Sequence, residues 1–275
     1  MIDRGSGSPI VLIPGIQGRW EWLAPTIDAL APGHRVLSFS LGEWLDGTDG
    51  QNAFDAWIDG IDRMLDRAGE RRATIIGVSF GGLVAARYAA RRPDRVGALV
   101  LVSTPSPRMK LDGVRTAYLS YPRLMVPVFA MRSCRRLGPE LFRARPTWPL
   151  RLRLAAQYAR RVVSAPLSPS QMSSWVRAWQ CLDIEADCAR VTAPTLVITG
   201  EPDLDRVVPV ETTREYLRLI PGARYETLPD TGHVGLVLKP DRFAEIVNTF
   251  LKGHGARPTG APSRTERGDG APASA

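Results

Sequence analysis

Three cysteines in 275 residues, with no metal-like pairing among Cys134, Cys181 and Cys188, leave neither a disulfide framework nor a zinc site to consider. Free thiols in a reducing compartment are the expectation. Histidine is equally scarce: His34, His233 and His254 are the full set, so chemistry that needs an imidazole has three candidates. No segment approaches the length of a membrane span, and the first eight residues hold no apolar stretch before a cleavage-like site. A soluble cytoplasmic protein without stable membrane insertion follows. With no phosphate-binding glycine loop and no cluster of metal ligands, no cofactor and no metal are expected.

What is present in excess is positive charge, +8 net, and its location matters more than its size. Residues 106–190 hold 15 Lys and Arg against 5 Asp and Glu, while residues 253–275 hold 3 against 2, so the remainder is slightly acidic. A basic face confined to one internal segment, without a recognition motif, gives no nucleic-acid partner. A small-molecule substrate is the expected partner, and the oligomeric state is not legible.

The length suits one substantial core, burying about three quarters of the unfolded surface. Pro9 to Pro14 is an apolar run without alternation, as in a parallel strand buried on both faces. A helix through Trp22, Ile27 and Leu30 and a strand at 35–39 follow; Phe54, Trp57, Ile58, Ile61, Met64 and Leu65 then recur at helical spacing. Strands at 73–78 and 98–102 enclose a helix that Pro93 ends. From Ser106 this rhythm fails: Pro122, Pro127, Pro139, Pro146, Pro149, Pro166 and Pro169 predict short helical pieces up to Arg190. It resumes with a strand at 194–199, a helix at about 210–220, a strand near Tyr225 and a helix through Phe243 and Leu251. Alternating strands and helices predict a mostly parallel α/β sheet. Residues 253–275 are too poor in apolar side chains to order themselves and read as a disordered tail.

One stretch organises the chain. Gly77-Val78-Ser79-Phe80-Gly81 stands between a β-branched run and an alanine-rich one, which predicts a sharp strand-to-helix turn at the serine. Such a turn exposes the hydroxyl, and the amide of Phe80 points where an oxyanion would form. A serine nucleophile needs a base. His254 lies in the tail and His34 at the entry of a strand, the wrong end of the sheet, which leaves His233. The carboxylate that would orient it has no candidate after the 98–102 strand, whereas the loop after Thr199 offers Glu201, Asp203 and Asp205.

With the order Ser, acid, His, the chain resembles the α/β-hydrolase superfamily from Pro9 to about Lys252. The matches are the 77–81 turn, Pro14-Gly15-Ile16-Gln17-Gly18, the Gly200–Pro209 loop and Gly232-His233. The resemblance implies a core of residues 1–105 and 191–252, with a helical cap at 106–190 inserted between the sixth and seventh strands of the family's sheet. It also implies the Ile16 amide as the second oxyanion donor, although Pro14-Gly15 stands where many relatives have His-Gly. Both Asp203 and Asp205 fit a familiar spacing, and Asp205 is preferred because Asp-x-Val-Val-Pro keeps register with the next helix. The two strands that usually come first are missing, so about six strands are expected, beginning at an edge formed by 35–39. A pocket lined by Gln17, Trp44, Trp148 and Trp175 is expected. The implied activity is a carboxylesterase-type serine hydrolase working through an acyl-enzyme on a small or medium apolar ester. C–C bond hydrolysis, cofactor-free haloperoxidase-like or acyltransferase chemistry, and a low-turnover binding protein, stay open.

Overall fold

The computed structural model describes residues 1–45, 52–109, 111–144 and 147–253. The expected tail, with His254 and the rest of 254–275, lies outside these, as do the end of the 40–50 loop and Pro146. Runs without alternation form the middle of the sheet, where both faces are covered: β2 (Ser8–Ile13), β4 (Ala73–Val78), β5 (Val96–Val102) and β6 (Thr195–Thr199) are buried almost throughout. With β1 (Ile2–Arg4), β3 (His34–Ser38) and β7 (Arg224–Thr227), they make a seven-stranded sheet in the order β1-β3-β2-β4-β5-β6-β7. All neighbouring pairs are parallel except β1 with β3.

That exception corrects the expected edge. The sheet begins at β1, not at 35–39, because Ile2 and Arg4 pair with Ser38 and Val36 across an antiparallel ladder. Arg35 fastens it from β3, donating to Asp3 at 2.7 Å and to Glu70 at 3.2 Å. The edge is thus short and charged, a form that resists pairing with another chain.

Helices α1 (Ala24–Leu30) and α12 (Pro240–Lys252) cover one face of the sheet, where Ile27, Leu30, Phe243 and Val247 meet the alternate side chains of β2, β4 and β5. On the other face lie α2 (Ala53–Ala68) and α3 (Phe80–Arg91). Between β5 and β6 run α4 (Gly113–Ser120), α5 (Val126–Ala144), α6 (Trp148–Ser164), α7 (Pro169–Gln180) and α8 (Ile184–Ala189). The prolines do not cut this segment as expected. Pro149 and Pro169 occupy the first turns of α6 and α7, where the missing N–H costs nothing, and α5 continues through Pro127 and Pro139 for 19 residues. The expected 210–220 helix is two short ones, α9 (Val210–Arg214) and α10 (Tyr216–Leu219), and α11 (Gly235–Leu238) precedes α12.

Candidate active site

The turn from β4 into α3 puts Ser79 at φ 52°, ψ −121°, a backbone conformation that side chains rarely adopt. Neighbouring backbone enforces it. A Cβ at Gly77 would lie 2.5 Å from the Gly81 carbonyl oxygen, and one at Gly81 would lie 2.4 Å from that of Pro14, so neither glycine tolerates a side chain. The Ser79 amide donates to Val102 O at 2.7 Å, tying the turn to the end of β5.

Three of the expected residues come together here. Nε2 of His233 lies 3.1 Å from Ser79 Oγ, and its Nδ1 lies 3.3 Å from both carboxylate oxygens of Asp205. With the Nδ1 proton donated to Asp205, Nε2 is free to accept from the serine hydroxyl. Asp205 is 3 % exposed and also accepts the amides of Val207 and Val208 at 3.2 and 3.0 Å. Burial works against its charge, but the neighbouring imidazole, the hydrogen bonds from His233 and the Val208 amide, and that from the Ser103 hydroxyl outweigh it. They hold the Asp205 carboxyl below the ordinary carboxylate range. Asp203, two residues earlier, faces solvent. His34 stands at the opposite end of the sheet, 2.6 Å from Asn248 Oδ1.

Phe80 is the first residue of α3, so its amide is among the outward-pointing donors at the helix N-terminus. The Pro14–Gly18 loop passes over the serine, since a Cβ on Gly15 would lie 3.4 Å from that of Ser79; Ile16 follows in this loop. Beside that loop a cavity of about 280 Å³ is lined by Gln17, Arg19, Ser40, Glu43, Gln171 and Trp175 among others, with none of Ser79, Asp205 and His233 in its wall. Two of the expected pocket residues are elsewhere. Trp44 stacks on Phe39 with ring centroids 3.8 Å apart and fills a slot over Gly60, where a Cβ would lie 2.0 Å from the indole. Trp148, at the start of α6, is 68 % exposed. Trp175 is itself largely a packing residue, edge-on to Trp57 at 5.8 Å.

Two neighbours escape a reading of the sequence. Ser103, just after β5 and at φ 43°, is the hydroxyl that reaches Asp205. Glu140, in α5, is fully buried and accepts the amides of Gly232 at 2.7 Å and Val234 at 3.2 Å, one on each side of His233. Burial raises its pKa, while those two amides and the adjacent His233 pull the other way. One signal was available: Glu140 is the single acidic residue between Asp112 and Asp183. Among the described residues, no three His, Cys, Asp or Glu side chains come together to hold a metal ion.

A model of the alpha/beta hydrolase fold family matches residues 8–240. The chain belongs to that family. It is 29% identical over 262 residues to the pimeloyl-(acyl-carrier protein) methyl ester esterase of Photobacterium profundum, covering 90% of this chain and 96% of the relative. It is 27% identical over 264 residues to the 2-hydroxymuconate semialdehyde hydrolase of Pseudomonas putida, covering 90% and 89%. The crystal structure of the enol-lactonase from Burkholderia xenovorans LB400 superposes with a TM-score of 0.73 at 22% identity over 91% of this chain and 95% of that one, a likeness that speaks for the fold alone. These relatives are hydrolases of one family whose names specify different substrates.

Proposed function

We propose that the protein is a serine hydrolase of carboxylic esters, with Ser79 as nucleophile, His233 as general base and acid, and Asp205 as the group that orients the imidazole. The observation that carries this reading is the continuous hydrogen-bonded line Ser79 Oγ, His233 Nε2, His233 Nδ1, Asp205, with its first and last links at 3.1 and 3.3 Å. Ser79 Oγ attacks the ester carbonyl carbon as its proton passes to Nε2, and the carbonyl electron pair moves onto oxygen. The amides of Phe80 and Ile16 bind that oxyanion. Collapse returns the proton from Nε2 to the departing alcohol oxygen and leaves an acyl ester on Ser79. Water then enters and its oxygen attacks the acyl carbon as its proton passes to Nε2; collapse breaks the acyl bond to Ser79 Oγ, returns that proton to Oγ and releases the acid. The depressed pKa of Asp205 keeps it anionic throughout, stabilising the imidazolium that forms at each attack.

The ester is taken to be apolar and small or medium in size. The helices between β5 and β6 act as a cap above the site, and exposed free thiols at Cys134 and Cys181 fit a reducing cytoplasm. Ser79→Ala should lower turnover of an activated ester by about six orders of magnitude. A fluorophosphonate should label Ser79; labelling elsewhere with Ser79 untouched would overturn the assignment.

A further inference from the structure

Of the nineteen residues of α5, the one that is buried is a glutamate. A carboxylate taken out of water is costly unless its oxygens are hydrogen-bonded, so the position is occupied for what those oxygens do. Oε1 of Glu140 accepts the amides of both Gly232 and Val234, and Oε2 shares the Val234 amide, so the carboxylate brackets the backbone of His233. The same loop is held from its other side by the segment that carries Asp205. The Glu201 amide donates to Thr231 O at 2.7 Å, and Glu201 Oε1 accepts the Asp230 amide at 2.8 Å. Gly232 packs so closely on Leu204 that a Cβ would lie 2.4 Å from its carbonyl oxygen. The histidine loop is therefore clamped between the acid loop and one cap side chain.

We propose that Glu140 is a positioning residue for His233, and that it makes the seating of α5 on the core a condition for the imidazole to stand in line with Ser79 and Asp205. This rests on the reading of His233 as the base. The chemistry favours a carboxylate: the Val234 amide lies 3.2 Å from both Oε1 and Oε2, so both oxygens face an N–H donor. Glutamine presents one acceptor and one NH₂ that would face a donor. Arg143, one turn further along α5, reaches Asp230 of the same loop at 3.4 Å, but with both side chains more than half exposed that pair adds little.

The test compares Glu140→Gln, Glu140→Ala and Arg143→Ala on p-nitrophenyl butyrate. Displacing a reacting group by about 1 Å costs on the order of a hundredfold, so both Glu140 variants should lose about that much in kcat, with KM within about threefold. Labelling of Ser79 by a small fluorophosphonate should slow by the same factor, because it needs the same base, while Arg143→Ala matches the wild type. A residue that merely holds the cap would instead raise KM and leave small-reagent labelling unchanged, and that result overturns the proposal. Amide exchange supplies a readout without turnover: the Gly232 and Val234 amides should be protected in the wild-type protein and exchange about tenfold faster in Glu140→Gln. If neither variant folds, exposed-loop exchange rates at these two amides in the wild type overturn the proposal and protection upholds it. If Ser79→Ala retains activity, the proposed function fails; if it is dead while Glu140→Gln is fully active, only the present inference fails.

Discussion

The Arg87 guanidinium and the Asp187 carboxylate meet at 2.7 Å in the interior, 7 % and 0 % exposed, and join the helix that follows Ser79 to the last helix before β6. Arg190 reaches the other oxygen of Asp187 from the surface. Removing one member of a buried pair leaves the other charged and unsolvated, which costs about 3–5 kcal/mol. Asp187→Asn should therefore destabilise the protein by that amount in urea unfolding, while the folded fraction keeps its kcat. A change below about 1 kcal/mol would show that Asp55, already 3.6 Å from the same guanidinium, suffices to hold the Arg87 charge.

Asp205 and Asp203 are separated by one residue but not by one environment, the first buried against His233 and the second in solvent. Replacement by Asn keeps the shape and favours the wrong imidazole tautomer, a loss of about ten-thousandfold in turnover at such a position. Asp205→Asn should show that loss, with Asp203→Asn near wild type. The reverse ranking would move the acid to Asp203.

A carboxyl whose pKa is depressed by folding contributes stability above its unfolded value, and the contribution is lost as pH falls through the folded one. Asp205 is such a group. The stability difference between the wild type and Asp205→Asn should hence be flat above about pH 5 and shift against the wild type as pH drops below about 4, near the unfolded pKa. Urea titrations at stepped pH read this directly; a difference that moves only above pH 5 contradicts the sign.

Residues 106–190, which include the proposed cap, carry ten surplus positive charges in sequence. Exposed charges act at range and are screened over about 8 Å at physiological salt. For an ester bearing a carboxylate, kcat/KM should fall between low and high salt at nearly constant kcat, and a neutral ester of equal size should not follow. Parallel salt curves for the two esters would make the arginines a solvated surface only.

The buried strands were readable because a sheet covered on both faces demands unbroken apolar runs, and β2, β4, β5 and β6 supply them. β1 was not: Ile2-Asp3-Arg4 has no period, and its place depends on Arg35, some thirty residues away. In the segment between β5 and β6 the prolines misled, since Pro149 and Pro169 start helices rather than stop them. At the site, Ser79 and His233 stood out by motif and by scarcity. Ser103 and Glu140 act through contacts that arise only when distant elements close on one another. Glu140 alone left a trace in the sequence, as an isolated acid in a basic stretch.

Three of the seven tryptophans converge on the residue that follows Ser79. Trp57 stands edge-on to Phe80 at 6.0 Å, Trp179 meets the same ring at 6.5 Å, and Trp175 closes the group through Trp57. Two of the three ride on α7, the other on α2 beneath it. Indole emission moves to longer wavelength when water reaches the ring, so the molecule carries an unlabelled optical gauge at the root of the helix that follows Ser79. Lifting α7 during substrate entry or acid release would register in stopped-flow fluorescence on the timescale of a single turnover, with no dye attached and no residue replaced.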